Sequence, residues 1–189
     1  EALKRTDSLY DWFHGKGNLK VYYSLRALKS CSSRLVELEA MRARERGTML
    51  QAHMNEYMGE INGIVDREGM RPYEYLEKMH VLGSNFLGAH SLILSEQEKS
   101  LVMERGVKTC HFSNCGKAVP DTPQLLEMGI PVGLGSDGAA HGGLSLWNEM
   151  KIFRSVMNIY HGVPNGNPKV MPAETILKIV LEGGAAALN

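Results

Sequence analysis

The chain has 189 residues, 43% hydrophobic and 22% charged, a composition that builds one sizeable core and excludes a disordered tail. Lysine plus arginine number 21 and aspartate plus glutamate 21, so no net field exists to hold nucleic acid or an acidic membrane face. The longest apolar runs, Val132 to Leu134 and Ile176 to Val180, fall far short of the roughly 20 residues a membrane helix needs.

Three cysteines, Cys31, Cys110 and Cys115, occur at no zinc-ribbon spacing, which fits a reducing compartment and predicts a cytoplasmic protein. The sequence opens Glu1-Ala-Leu-Lys with no initiating methionine or apolar signal core, and it stops inside a helix-like run of alanines. We therefore expect a piece of a longer protein.

Residues 21–25 are β-branched and aromatic and predict a short strand, and residues 32–46 carry Leu, Val and Met at helical spacing up to Gly47. The strand pattern returns at 48–53, 85–90, 106–111 and 130–137. Helices are predicted after each: at 57–68 and 72–79, at 95–105 where Ser95 and Glu98 make a capping box, at 122–128, and at 144–160. Asn165-Gly166 falls between helices, and Pro172 opens a last helix. A βα unit thus recurs five times with no hairpin turn between strands, which predicts a parallel α/β sheet.

A doubly wound sheet would place a glycine-rich phosphate loop after an early strand, and no G-x-G-x-x-G is present. Four predicted strands end instead in His53, His90, His111 and Asp137, the arrangement of a TIM (β/α)8 barrel, which carries its working residues at the C-terminal ends of strands. Alternation puts Phe86, Gly88 and His90 on one face, and Gly133, Gly135 and Asp137 on another such face, so the glycines are expected to leave space around the functional groups. About three of eight units are missing, which predicts an incomplete barrel.

His53 begins His-Met-Asn-Glu56, a spacing that sets a carboxylate beside a metal ligand without making it one, suited to a proton shuttle. Alone, the pattern equally describes a buried histidine followed by a helix-start glutamate. Conjunction adds the information: Gly-Ala-His90-Ser-Leu, His111-Phe-Ser-Asn114 and Leu-Gly-Ser-Asp137-Gly follow at successive strand ends.

Together these motifs resemble the amidohydrolase superfamily, in its branch of cytosine and guanine deaminases and chlorohydrolases, from about Val21 to the end of the chain. The resemblance implies a metal-dependent hydrolase barrel of which residues 1–189 form the C-terminal part, with the first strands and a flanking β-sandwich outside this sequence. It implies His53 and Asp137 as ligands of one zinc or iron ion, Glu56, His90 and Asp137 as catalytic groups, and hydrolysis of a C–N bond by deamination. It matches Ser113-Asn114 to a family motif, giving Asn114 a substrate contact. His141, just beyond Asp137, either touches substrate or is an exposed loop histidine. The expected partners are a heterocyclic small molecule and water, in a homo-oligomer, with neither nucleic acid nor membrane.

One departure is serious. The family carries an H-x-H ligand pair on its first strand, and no two of the seven histidines here are two apart; the remaining ligands are expected from the missing N-terminal part. A barrel that kept its fold after losing catalysis is the competing class, since fold alone does not decide function. A His111, Cys110 and Cys115 zinc cluster is disfavoured because Cys110 has the opposite strand parity. The run Arg42-Ala-Arg44-Glu-Arg46 reads as a solvated helix end.

Substrate choice turns on Arg26, in Ser24-Leu-Arg26-Ala-Leu-Lys-Ser-Cys-Ser. This segment is similar to that of guanine deaminases, where many relatives have histidine. A guanidinium is a fork of donors with no acceptor, suited to a ring carbonyl and unable to serve an exocyclic amine. A structural arginine paired with a loop carboxylate is the alternative.

Overall fold

The computed structural model describes residues 1–112, 117–139 and 143–188. Five strands, β1 (Tyr23–Ala27), β2 (Leu50–Met54), β3 (Phe86–His90), β4 (Lys108–His111) and β5 (Val132–Leu134), form one sheet in sequential order, and every neighbouring pair is parallel. A doubly wound sheet reverses its strand order at a switch point. Unbroken order with a helix after each strand is barrel winding, so the chain is part of a (β/α)8 barrel.

The crossovers are α2 (Ser33–Glu45), α3 (Met58–Glu68) with α4 (Pro72–Lys78), α5 (Glu96–Glu104) and α6 (Thr122–Glu127). Local chemistry sets their ends. The Ser32 hydroxyl accepts from the Leu35 amide, the Ser95–Glu98 capping box forms as the spacing predicts, and Gly69 closes α3 at φ 73°. After β5 come α7 (Leu146–Met157), α8 (Ala173–Lys178) and α9 (Gly184–Leu188). The single predicted helices at 144–160 and after Pro172 are each shorter than expected, because wide π turns at 158–162 and 179–183 interrupt the regular ladder.

One face of the sheet packs on the helices, with Tyr23, Leu25, Leu50, Met54 and Phe86 in the main core. The other face is the barrel interior, where Ser24 and Arg26 of β1 stand exposed. At the start of the strands α9 covers it, as Ala187 packs with Met49 and Leu87. No helix among the described residues is long and apolar enough to cross a membrane.

Strand register corrects one expectation. Phe86 and Gly88 pair with Leu50 and Ala52, residues of the helix-facing set, and a Cβ on Gly88 would collide with the Tyr73 hydroxyl of α4. Gly88 therefore makes room for a helix, not for the site. His90 escapes this parity by leaving the strand at φ 71°. In β5 the shared inward face holds, but its glycines make room for other groups than expected: a Cβ on Gly133 would meet Ala187 and Gly184 at 3.5 Å, and one on Gly135 the Cys110 sulfur at 3.2 Å.

An N-terminal helix, α1 (Ala2–Phe13), was not expected. It lies against the end of α2, where Arg42 and Arg46 reach Asp7 at 3.7 Å each and the Tyr23 hydroxyl donates to Asp7. The arginine run is thus a docking point for α1, and Arg44 donates to the His80 carbonyl.

Candidate active site

His53 is the penultimate residue of β2, and its Nδ1 meets the Arg26 backbone carbonyl. A carbonyl only accepts, so the proton is on Nδ1 and the lone pair of Nε2 is free for a cation. The His53 and His90 rings stack with centroids 5.2 Å apart.

Glu56 follows in the loop before α3. Its backbone amide donates to Glu60 at 3.0 Å, and its carboxylate pairs with Lys117 while lying 3.8 Å from His90 Nε2. Burial pushes the Glu60 carboxyl above its usual range. Burial likewise lowers the pKa of His90, against the pull of Glu56, so the imidazole is neutral and able to accept a proton. His90 Nδ1 is buried with no hydrogen-bond partner.

Asp137, beyond the end of β5, adopts φ 54°. Its Oδ2 lies 4.0 Å from His90 Nε2, and its Oδ1 accepts from the Gly138 amide at 2.6 Å. His53, Glu56, Tyr57, Lys117, Arg26 and Asp137 all line one cavity of about 200 Å³. A larger cavity of about 540 Å³, beside the loop after β3, contains none of these six groups.

Sequence reasoning placed His53, Glu56, His90, Asp137 and Arg26, and all five gather here. Arg26 lines the cavity together with the carboxylate-bearing Glu56, Glu60 and Asp137. Asn114 and His141 lie outside the described residues. Lys117 and Tyr57 were missed; the Tyr57 ring has the ammonium groups of Lys29 and Lys117 at 4.8 and 5.3 Å, contacts that no local spacing encodes.

Two expectations need adjusting. His111 ends a strand but faces the helices: it is fully buried, its Nδ1 meets the Thr122 hydroxyl at 2.9 Å, and its ring lies 6.3 Å from that of Phe153. Burial, reinforced by His90, pushes its pKa down to about 3. Nor do His53, His90 and Asp137, expected to converge at one rim within a metal's reach, do so as a trio, since among the described residues no three His, Cys, Asp or Glu side chains could hold a metal ion. The free Nε2 of His53 and the carboxylate of Asp137 are the donor types a borderline divalent cation takes, and they supply part of a set.

Acid–base groups at the C-terminal ends of barrel strands, around a cavity with nitrogen and oxygen donors, occupy the position where (β/α) barrels carry their active sites. The chain belongs to the Amidohydrolase family, matched over residues 10–189. It is 32% identical, over all of its length and 43% of the relative's, to a 5-methylthioadenosine/S-adenosylhomocysteine deaminase of Syntrophobacter fumaroxidans. An adenosine deaminase of Xanthomonas campestris with bound zinc superposes with a TM-score of 0.92 at 21% identity, over 98% of this chain and 43% of that one. A guanine deaminase of C. acetobutylicum with guanine in its active site gives 0.88 at 22%, over 98% and 46%. The chain thus spans less than half the length of these relatives.

Proposed function

We propose that this chain contributes the second half of the active site of a metal-dependent aminohydrolase that deaminates a nitrogen heterocycle. What carries the reading is the gathering of His53, Glu56 and Asp137 around one cavity, with His90 Nε2 behind them at 3.8 Å from Glu56 and 4.0 Å from Asp137. A degenerate scaffold has no packing reason to keep these groups together, because each costs free energy to bury or crowd unpaired.

In this reading His53 Nε2 and Asp137 hold one zinc or iron ion, with further donors from chain outside residues 1–189. The cation would supply an acidified water, its pKa lowered toward about 7. Neutral His90, 4.0 Å from Asp137, takes a proton as the water oxygen bonds to the amine-bearing carbon. Glu56, 3.8 Å from His90 Nε2, receives that proton and delivers it to a ring nitrogen, then takes the second water proton from the new carbon-bound hydroxyl and gives it to the departing amine. The C–N bond breaks, ammonia leaves, and the ring carbon becomes a carbonyl.

Arg26, exposed on the interior face and lining the cavity, offers its donors to a ring carbonyl. This supports a guanine-like or other oxo-substituted ring. A second reading, an adenine nucleoside, is supported by the name of the sequence relative above; a chlorohydrolase would share the same water activation. Free Cys31 and Cys110 support our assignment to the cytoplasm. We further propose a homo-oligomer.

Metal analysis and a substrate panel test the reading on the intact protein. Stoichiometric zinc or iron is expected, with ammonia released faster from guanine, isoguanine or pterins than from adenine or adenosine. For Arg26→Ala we expect kcat/KM on the oxo ring to fall by about 10-fold or more, the loss of one or two charge-assisted hydrogen bonds. Adenine turned over fastest, or an unchanged Arg26→Ala, would overturn the oxo-ring assignment. A protein that neither contains nor takes up metal would overturn the enzyme.

A further inference from the structure

Three non-glycine residues flank the two proton-moving groups in left-handed conformation: Asn55 (φ 49°), immediately before Glu56, then His90 itself (φ 71°) and Ser91 (φ 49°). Such backbone costs of order 1 kcal/mol or more per residue and persists only where surrounding contacts over-determine it. The contacts are present and reciprocal. The Met54 carbonyl accepts from the Ser91 amide at 2.8 Å, and the Asn55 carbonyl accepts from the Leu92 and Ile93 amides at 3.2 Å. The Asn55 side-chain amide donates to the Ile93 carbonyl at 3.1 Å and to both oxygens of Glu98 at 3.0 and 2.9 Å.

Glu98 is itself fixed. It accepts from Arg71 Nε at 2.8 Å and from the Tyr73 and Ser95 amides at 3.2 and 3.0 Å, while Arg71 Nη2 donates to the Ile93 carbonyl at 2.7 Å. Both Asn55 and Glu98 have no solvent exposure. All the atoms facing the Asn55 amide nitrogen are acceptors, so only this amide orientation is allowed.

We propose that Asn55, anchored by Glu98, is a positioning residue that holds Glu56 and His90 at their working separation by tying the loop after β2 to the loop after β3. The inference rests on the aminohydrolase reading for its catalytic consequence, not for its geometry. Neither residue touches the cavity that holds the site; both act through the backbone that precedes Glu56 and follows His90. A carboxylate and an imidazole that exchange protons with one substrate need placement to a fraction of an ångström, and a shift of about 1 Å can cost 10²-fold.

Asn55→Gly tests this because glycine keeps the left-handed backbone and removes only the tie. In the intact metal-loaded protein, kcat is expected to fall about 10- to 100-fold, with KM and metal content little changed, and exchange at the amides of residues 91–95 to quicken. Asn55→Asp sets carboxylate against carboxylate and should lose more. Counted per bound metal, the fall in kcat would not follow from a lower folded fraction, which is all that a merely structural role would produce.

Unchanged kcat in Asn55→Gly overturns the proposal, as does a crystal structure of that variant in which Glu56 and His90 keep their 3.8 Å separation. If the wild-type protein deaminates nothing in the panel, the aminohydrolase reading fails separately. Amide exchange and the crystallographic separation still decide whether Asn55 holds the two loops.

Discussion

Behind the ends of β2 and β3, Asn55, Glu98 and Arg71 tie two loops together through buried hydrogen bonds, and the Tyr73 hydroxyl meets Ser91 at 2.6 Å. At the end of β5 a three-residue strand runs into Asp137, whose carboxylate accepts, among the described residues, one hydrogen bond from its own neighbour Gly138. The two regions face each other across His90, and among the described residues the first carries the denser set of side-chain hydrogen bonds. The difference matches the work we propose for each. Groups that pass protons need fixed placement before substrate arrives, whereas a ligand carboxylate takes its final orientation from the ion it binds.

The largest effects should separate the two regions by kind. Glu56→Gln keeps size and polarity but removes the shuttle, so kcat is expected to drop about 10² to 10⁴-fold with metal content intact. Asp137→Ala should do the reverse and lower metal occupancy first. Parallel kinetics and metal analysis of the two variants would break the comparison if Glu56→Gln lost metal and kept its rate.

A smaller effect sharpens the same contrast through packing. A methyl on Gly88 must displace the buried Tyr73 hydroxyl and approach Ser91, so Gly88→Ala should destabilise the protein by about 1–3 kcal/mol or more, as overpacking does, and loosen the loop after His90. Gly135→Ala meets the end of the Cys110 side chain at 3.2 Å and should cost less, because a sulfur that needs to give by a few tenths of an ångström yields more readily than a ring hydroxyl in direct collision. Urea unfolding midpoints of the two variants give the order; equal losses would show the β5 end to be as tightly built.

These contrasts were only partly legible in the sequence. The βα order, the capping box of α5 and the strand-end histidines follow from local periodicity and spacing, and they recover the barrel and the members of the site. Two things did not follow. Strand parity misassigned Gly88, since alternation cannot know that His90 leaves the strand with positive φ. The bond between Asn55 and Glu98 spans 43 positions, and nothing in His-Met-Asn-Glu marks the asparagine as more than a spacer. Helix α1 was silent for a related reason: it has no buried residue, and its anchors, Arg42 and Arg46, lie far along the chain.

His111 provides the finest test, because it ends β4 between the densely bonded region and the sparser one. Its imidazole is buried on the helix side with a pKa of about 3, against about 6.5 when unfolded. The folded state therefore binds no proton at pH 5 while the unfolded state does. The contribution to stability is complete above pH 6.5 and is lost progressively as pH falls toward 3, amounting to about 2 kcal/mol at pH 5. In His111→Gln the packing loss is present at every pH, but this proton is gone. The stability gap between wild type and variant should accordingly narrow by about 2 kcal/mol from pH 7.5 to pH 5, read from urea unfolding at each. A narrowing gap places the β4 end with the dry, densely bonded wall of the barrel. A gap that stays constant means that His111 is hydrated or protonated in the folded state, and the boundary between the two regions then runs one strand closer to Asn55.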